Sequence, residues 1–191
     1  MSGAALRRLA LAGSLAGALA GCASTEAPTA SRPTLDAALA RLPAEAAGFQ
    51  RGETSDVSPG DAGAGKVVEY ATARRIAVAH VFVYDLNRPS VTEADLPPEV
   101  ERAVAEGTTL PQDRTGRRLA ERSRTPVSAR GGPLTCSTLG GTFGRNPVER
   151  HVCVGVAGGR FLRVQVTMPS RSPPVADAEA FATAVATAVR G

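Results

Sequence analysis

Residues 148–168 read VERHVCVGVAGGRFLRVQVTM. Valine recurs at every second place on both sides of Gly158-Gly159, which predicts two antiparallel strands, Val148–Val156 and Phe161–Met168. The register depends on the loop. A two-residue Gly-Gly turn sets Val154 opposite Arg163 and Val152 opposite Gln165. A three-residue loop, Gly158–Arg160, sets Val156 opposite Leu162, Val154 opposite Val164 and Val152 opposite Val166. One face of such a hairpin must be dry, so we expect the three-residue loop. Cys153 then lies on the less apolar face, beside Gln165. Upstream, Leu134–Leu139 predicts a third strand, with Gly140-Gly141 and Gly144–Pro147 marking the turn.

Working outward, Asp177–Arg190 predicts a helix with Ala178, Phe181, Val185 and Val189 as its apolar stripe and Gly191 at its end. Ile76–Tyr84 alternates with apolar residues on both faces. It is expected to be a central strand covered from both sides. Lys66–Thr72 predicts its neighbour, and Ala47–Thr54 a further strand around Phe49. Residues 55–65 are turn chemistry. Thr34 is placed to cap a short helix over Leu35–Leu42, ended by Pro43. A second helix is expected from Glu99 to Glu106, ended by Gly107. Residues 108–132 are polar and arginine-rich, and a helical turn around Arg117–Arg122 followed by an exposed loop is expected. The sum is an α+β domain: an antiparallel sheet of about five to six strands with helices packed on it.

The N-terminus has a different character. Arg7 and Arg8 precede an apolar run, Leu9–Ala20, of about 12 residues, too short to cross a hydrocarbon core that needs roughly 20. Leu19-Ala20-Gly21-Cys22 follows, and the whole resembles a bacterial lipoprotein signal peptide with its lipobox. The resemblance implies cleavage after Gly21 and a diacylglycerol on the Cys22 thiol, whose two chains suffice for durable anchoring. The expected organisation is signal peptide 1–21, lipidated cysteine and flexible tether 22–34, and one domain over 35–191. Ala23 and Ser24 replace the aspartate linked with inner-membrane retention, which implies the outer membrane in a host with two membranes. The expected location is the cell envelope, on the periplasmic side.

Losing Arg7 and Arg8 halves the formal net charge of +4. Lys66 is the only lysine, and the arginine and alanine excess is attributed to a GC-rich genome. Tryptophan is absent and aromatics are few, so stacking platforms for nucleic acid or sugar are poorly supplied. An envelope location also argues against nucleic acid as a partner. With Cys22 lipidated, Cys136 and Cys153 remain, and an even pair in an oxidising compartment reads as one disulfide.

Gly65, Val68, Tyr70 and Val81-Phe82-Val83-Tyr84-Asp85 resemble a loose group of uncharacterised bacterial envelope proteins. These share a VYVYD-like central strand, a proline-containing loop and an acidic helix. The element order over about residues 47–190 is similar to the PsbP/Mog1-like α/β sandwich. Members of that fold mostly bind or assist other proteins, so the resemblance implies no activity.

Motifs of catalysis are missing. There is no Gly-x-Ser-x-Gly elbow, His-Glu-x-x-His or P-loop. His80 and His151 each fall on a strand without a second ligand at metal spacing. Asp95, Glu99 and Glu101 are read as acidic residues at a helix N-terminus. Gly155–Gly159 is read as a turn. No catalytic residue, cofactor or metal is therefore expected. Arg114, Arg117, Arg118, Arg122, Arg124 and Arg130 form a basic segment suited to anionic lipid headgroups or an acidic partner, or else a solvated face. The leading expectation is a non-enzymatic binding or assembly module held to a membrane by Cys22, with a protein partner. The alternatives are an enzyme with carboxylates near Asp85 and Asp95 facing Tyr84, and a structural or stress-related lipoprotein.

Overall fold

The computed structural model describes residues 32–109 and 118–191. Eight strands form a single antiparallel sheet: β1 (Glu45–Ala46), β2 (Phe49–Asp56), β3 (Lys66–Thr72), β4 (Val78–Tyr84), β5 (Ala120–Val127), β6 (Leu134–Phe143), β7 (Asn146–Ala157) and β8 (Arg160–Pro169). Among the described residues three α-helices accompany it: α1 (Leu35–Ala40), α2 (Leu96–Gly107) and α3 (Ala178–Arg190). The spatial order is β1-β2-β3-β4-β8-β7-β6-β5. Two meanders are thus joined where β4 pairs with β8, and α2 lies in the connection that carries the chain to the far edge.

This corrects the expected α+β domain of five to six strands. The domain is dominated by its sheet and stands closer to all-β. The two additional strands are the short β1 and the edge strand β5. All of β5 except Val127 is exposed, and it carries Glu121, Arg122, Arg124 and Pro126. A polar, proline-bearing edge resists pairing with other chains, and the same composition hides the strand from periodicity. The helical turn expected over Arg117–Arg122 is therefore a strand from Ala120 onward.

The central strand behaves as its alternation predicted from Val78 onward, whereas Ile76, expected within it, lies in the β3–β4 connection and is exposed. Ala79, Val81 and Val83 are fully buried on one face, and Tyr84 is buried on the other. Helices cover both faces. On the first, α1 and α3 pack over Phe49, Val68, Tyr70, Val81, Leu162 and Val164. On the second, α2 sets Leu96, Val100, Ala103 and Val104 against Leu139, Val152, Val154 and Phe161.

Two-sided cover also corrects the hairpin register. Val154 pairs with Arg163, Val152 with Gln165 and Val156 with Phe161, the arrangement of the two-residue turn. Gly158 (φ 55°) and Gly159 (φ 72°) supply the positive angles of a type I′ turn. The assumption of one dry face failed because both faces are dry. Val164 packs under α3 while Val154 packs under α2.

Thr34 caps α1 through the Ala37 amide, 3.1 Å away, and Asp177 caps α3 through the Ala180 amide at 2.9 Å. Phe181 on α3 is fully buried, with ring centroids 4.6 Å from Phe49 and 5.1 Å from Tyr70. The Tyr70 hydroxyl donates to the Pro43 carbonyl at 2.7 Å, which ties the α1–β1 link to this cluster. Phe181→Ala should therefore cost ~3–5 kcal/mol, because the aromatic cluster loses its centre and the sheet cannot collapse into the void. Urea unfolding of the variant against wild type measures it.

Candidate functional site

Cys136 on β6 and Cys153 on β7 stand directly opposite each other and are joined by a disulfide, with their Cα atoms 4.0 Å apart. Cys153 lies in the core under α3, not on the less apolar face that the slipped register implied. Beside the disulfide a groove of about 610 Å³ runs between the sheet and the start of α3, lined among others by Thr138, Glu149, His151, Asp177 and Glu179. His151 Nδ1 is 3.4 Å from Thr138 Oγ1, and its Nε2 is 3.6 Å from a Glu149 carboxylate oxygen. His80 pairs with Gln165 and His151 with Val166, which places the two imidazoles on opposite faces of the sheet. Burial pushes His80 below its ordinary range; Glu69 pulls it back only in part, and Arg150 and Arg163 lower it further. No group of three or more His, Cys, Asp or Glu among the described residues is placed to hold a metal ion.

The carboxylates anticipated around Tyr84 do not converge there. Asp85 pairs with Arg32, lies 3.7 Å from Arg160 Nε and accepts from the Asn87 amide at 2.9 Å. Asp95 pairs with Arg88 and accepts from the Thr92 amide at 2.8 Å and the Thr92 hydroxyl at 3.0 Å. Those Thr92 bonds, with Arg88 beyond them, hold the Asp95 carboxyl below its usual range despite slight desolvation. Each aspartate thus closes its own turn.

The Tyr84 hydroxyl instead donates to Glu99, a residue only 3 % exposed beneath α2. Desolvation, reinforced by Glu99, pushes the Tyr84 hydroxyl well above its ordinary range, so it stays a donor. Arg102 grips Glu99 through Nε at 2.9 Å and a terminal nitrogen at 2.6 Å, and also reaches Glu106. Arg163 on β8 bonds Glu106 in turn, with its guanidinium 4.0 Å from the Phe82 ring centroid. Burying Glu99 would be costly alone, and the three hydrogen bonds it accepts offset that cost. The sequence placed Glu99 among the acidic residues at a helix N-terminus. Its position one turn after Leu96 and one turn before Ala103, on the apolar side of α2, was the available signal.

Of the basic segment, Arg114 and Arg117 lie outside the described residues, as does Cys22, the expected site of lipid attachment. Arg124 is spent on Glu101 and Glu121, whereas Arg118, Arg122 and Arg130 are exposed. Gly155–Gly159 forms the end of β7 and the turn described above. The chain joins the domain at Arg32 and Pro33: Arg32 donates to the Arg88 and Pro89 carbonyls at 2.8 Å each, and Arg160 to the Pro33 carbonyl at 2.5 Å.

No protein-family model matches this chain, and no curated protein does.

Two outcomes follow from this geometry. The disulfide closes a sequence separation of 17, so Cys136→Ala/Cys153→Ala should lower unfolding free energy by ~3 kcal/mol, read from urea melts. Glu106 is tied to acid stability. Burial raises its carboxyl, but Arg163 and then Arg102 outweigh burial and hold it below its ordinary value of 4.5. A depressed folded value gives stability that is present above the unfolded value and lost as pH falls through the folded one. The stability gap between wild type and Glu106→Gln should therefore be widest near neutral pH and close progressively below 4.5, as measured by urea melts across that range.

Proposed function

We propose that this chain is a lipid-anchored cell-envelope protein whose sheet domain is a non-enzymatic binding or assembly module. The observation that carries the reading is Leu19-Ala20-Gly21-Cys22 behind Arg7, Arg8 and a short apolar run. The anchor is diacylglycerol on Cys22, on the periplasmic side, at the outer membrane where the host has two membranes. The Cys136–Cys153 disulfide supports an oxidising compartment. No helix among the described residues is long and apolar enough to cross a membrane, and on this reading lipid supplies the attachment. A binding role is favoured by the way the described carboxylates of the α2 face are occupied. Glu99 and Glu106 bond to arginines, and Asp85 and Asp95 close turns, which leaves little for acid–base chemistry there.

Cys22→Ser tests the anchor. The substituted chain should leave the membrane fraction and lose incorporation of labelled acyl chains. Unchanged fractionation together with retained label would overturn the reading.

A further inference from the structure

Three segments far apart in sequence meet at one end of the sheet. They are the β3–β4 connection, Ala73–Ala77; the β6–β7 turn around Gly144-Arg145; and the chain leaving β8 at Pro169. Pairing of Val78 with Thr167, Phe143 with Asn146, and Val148 with Pro169 brings them side by side. Ile76 is 42 % exposed there and Phe143 49 %. Between them lies a groove of about 670 Å³, floored by Val78, Val148 and Met168 and edged by Arg75 and Arg171, with no carboxylate in its lining.

Arg74, Arg75, Arg145 and Arg171 surround these apolar tips. All are exposed, and none takes part in an ion pair among the described residues. That sets them apart from Arg32, Arg88, Arg102, Arg124 and Arg163, each of which is matched to a carboxylate. The nearby acids Glu149, Asp177 and Glu179 line the other groove, beside the disulfide. Guanidinium groups are therefore left unmatched around protruding apolar side chains at this one end.

We propose that this end of the sheet docks onto an anionic lipid bilayer, with Ile76 and Phe143 entering the headgroup boundary and Arg74, Arg75, Arg145 and Arg171 pairing with lipid phosphates. Apolar residues inserted shallowly among cations are what interfacial binding requires. A bilayer fits better than an acidic protein. A specific protein interface buries on the order of 800 Å² per partner around a packed apolar centre, and here the large exposed apolar groups are two side chains on separate turns. The docking end is also remote from the place where the chain joins the domain. Arg32 and Pro33 sit against Asp85, Gly158 and Gly159 at the opposite end, about one β8 length away, ~30 Å at a strand's rise per residue. The inference deepens the binding-module reading and is independent of lipid on Cys22.

The test uses the mature chain, residues 22–191, carrying Cys22→Ser, so that neither an acyl anchor nor the signal segment contributes, floated with vesicles of phosphatidylcholine alone or mixed with phosphatidylglycerol. Binding should appear with the anionic vesicles and fall with salt. Arg74→Glu/Arg75→Glu and Arg145→Glu/Arg171→Glu should each weaken it by at least ~10-fold, and Ile76→Ser/Phe143→Ser should weaken it at fixed salt. Arg41→Glu, an exposed arginine at the end of α1, should leave it unchanged. Equal binding to both vesicles, no binding, or binding indifferent to the end-of-sheet variants would overturn the proposal, as would capture of an acidic protein by this end with no vesicle binding. Circular dichroism melts of each variant separate loss of docking from loss of fold. Failure here leaves the Cys22 fractionation result untouched, and the reverse holds too.

Discussion

The pairing of β4 with β8 is the constraint on which the domain depends. Each strand ends a meander, and Val81 opposite Val164 with Val83 opposite Leu162 places large apolar side chains at the seam. Those pairs face α1 and α3, whereas Tyr84 opposite Phe161 lies on the α2 face, so both faces of the seam carry apolar groups that need cover. Burial at ~25 cal/mol per Å² rewards covering both sides, and the helices are where that cover comes from. α3 closes the first face after β8, while α2 closes the second in passing from β4 to β5. The connection that reverses the sheet order is thus also a layer of the core.

Arginine is the residue that fixes those layers in place. Arg150, buried on β7, donates to the Gly107 and Thr109 carbonyls at 2.7 and 2.9 Å and so ends α2 against the sheet. Arg190, the last residue of α3, donates to the Val156 carbonyl at 2.8 Å and to carbonyls of the β5–β6 loop. A guanidinium presents several donors in a rigid fork, so one side chain satisfies carbonyls from two segments that lack strand partners. The positions of these arginines are structural, and a lysine at 150 or 190 could not reproduce the geometry.

Much of this was legible in the sequence, and the failures share a cause. Ile76–Tyr84 announced a doubly covered strand, and the stripe Ala178, Phe181, Val185, Val189 located α3 almost to the residue. The Cys136–Cys153 bridge followed from parity. The hairpin register differs from the expected one because both faces of β7 and β8 are dry, as both faces of β4 are, so a single dry face does not select the loop. β5 went unread because edge strands are selected for the polar character that erases alternation. Tyr84 was paired with the wrong carboxylates because Asp85 is adjacent in sequence, whereas Glu99 arrives from the next helix. Local pattern reports burial well, but it cannot say which distant charge a buried hydroxyl will meet.

The same limit explains why the basic end of the sheet is invisible in one dimension. Arg74-Arg75-Ile76 is a short motif, and Phe143-Gly144-Arg145 and Arg171 lie far from it; only antiparallel pairing stacks them. Meanwhile the arginine-rich run that is conspicuous in sequence is partly neutralised, with Arg124 bound to Glu101 and Glu121. A cation's reach outward depends on whether the fold gives it a carboxylate, not on how many cations neighbour it along the chain. With a small formal net charge, acids clustered by α2 and the disulfide groove leave the far turns uncompensated. The domain is therefore polar along its strands: Arg32 and Arg160 are engaged beside Asp85 at one end, while Arg74, Arg75, Arg145 and Arg171 at the other take part in no ion pair among the described residues.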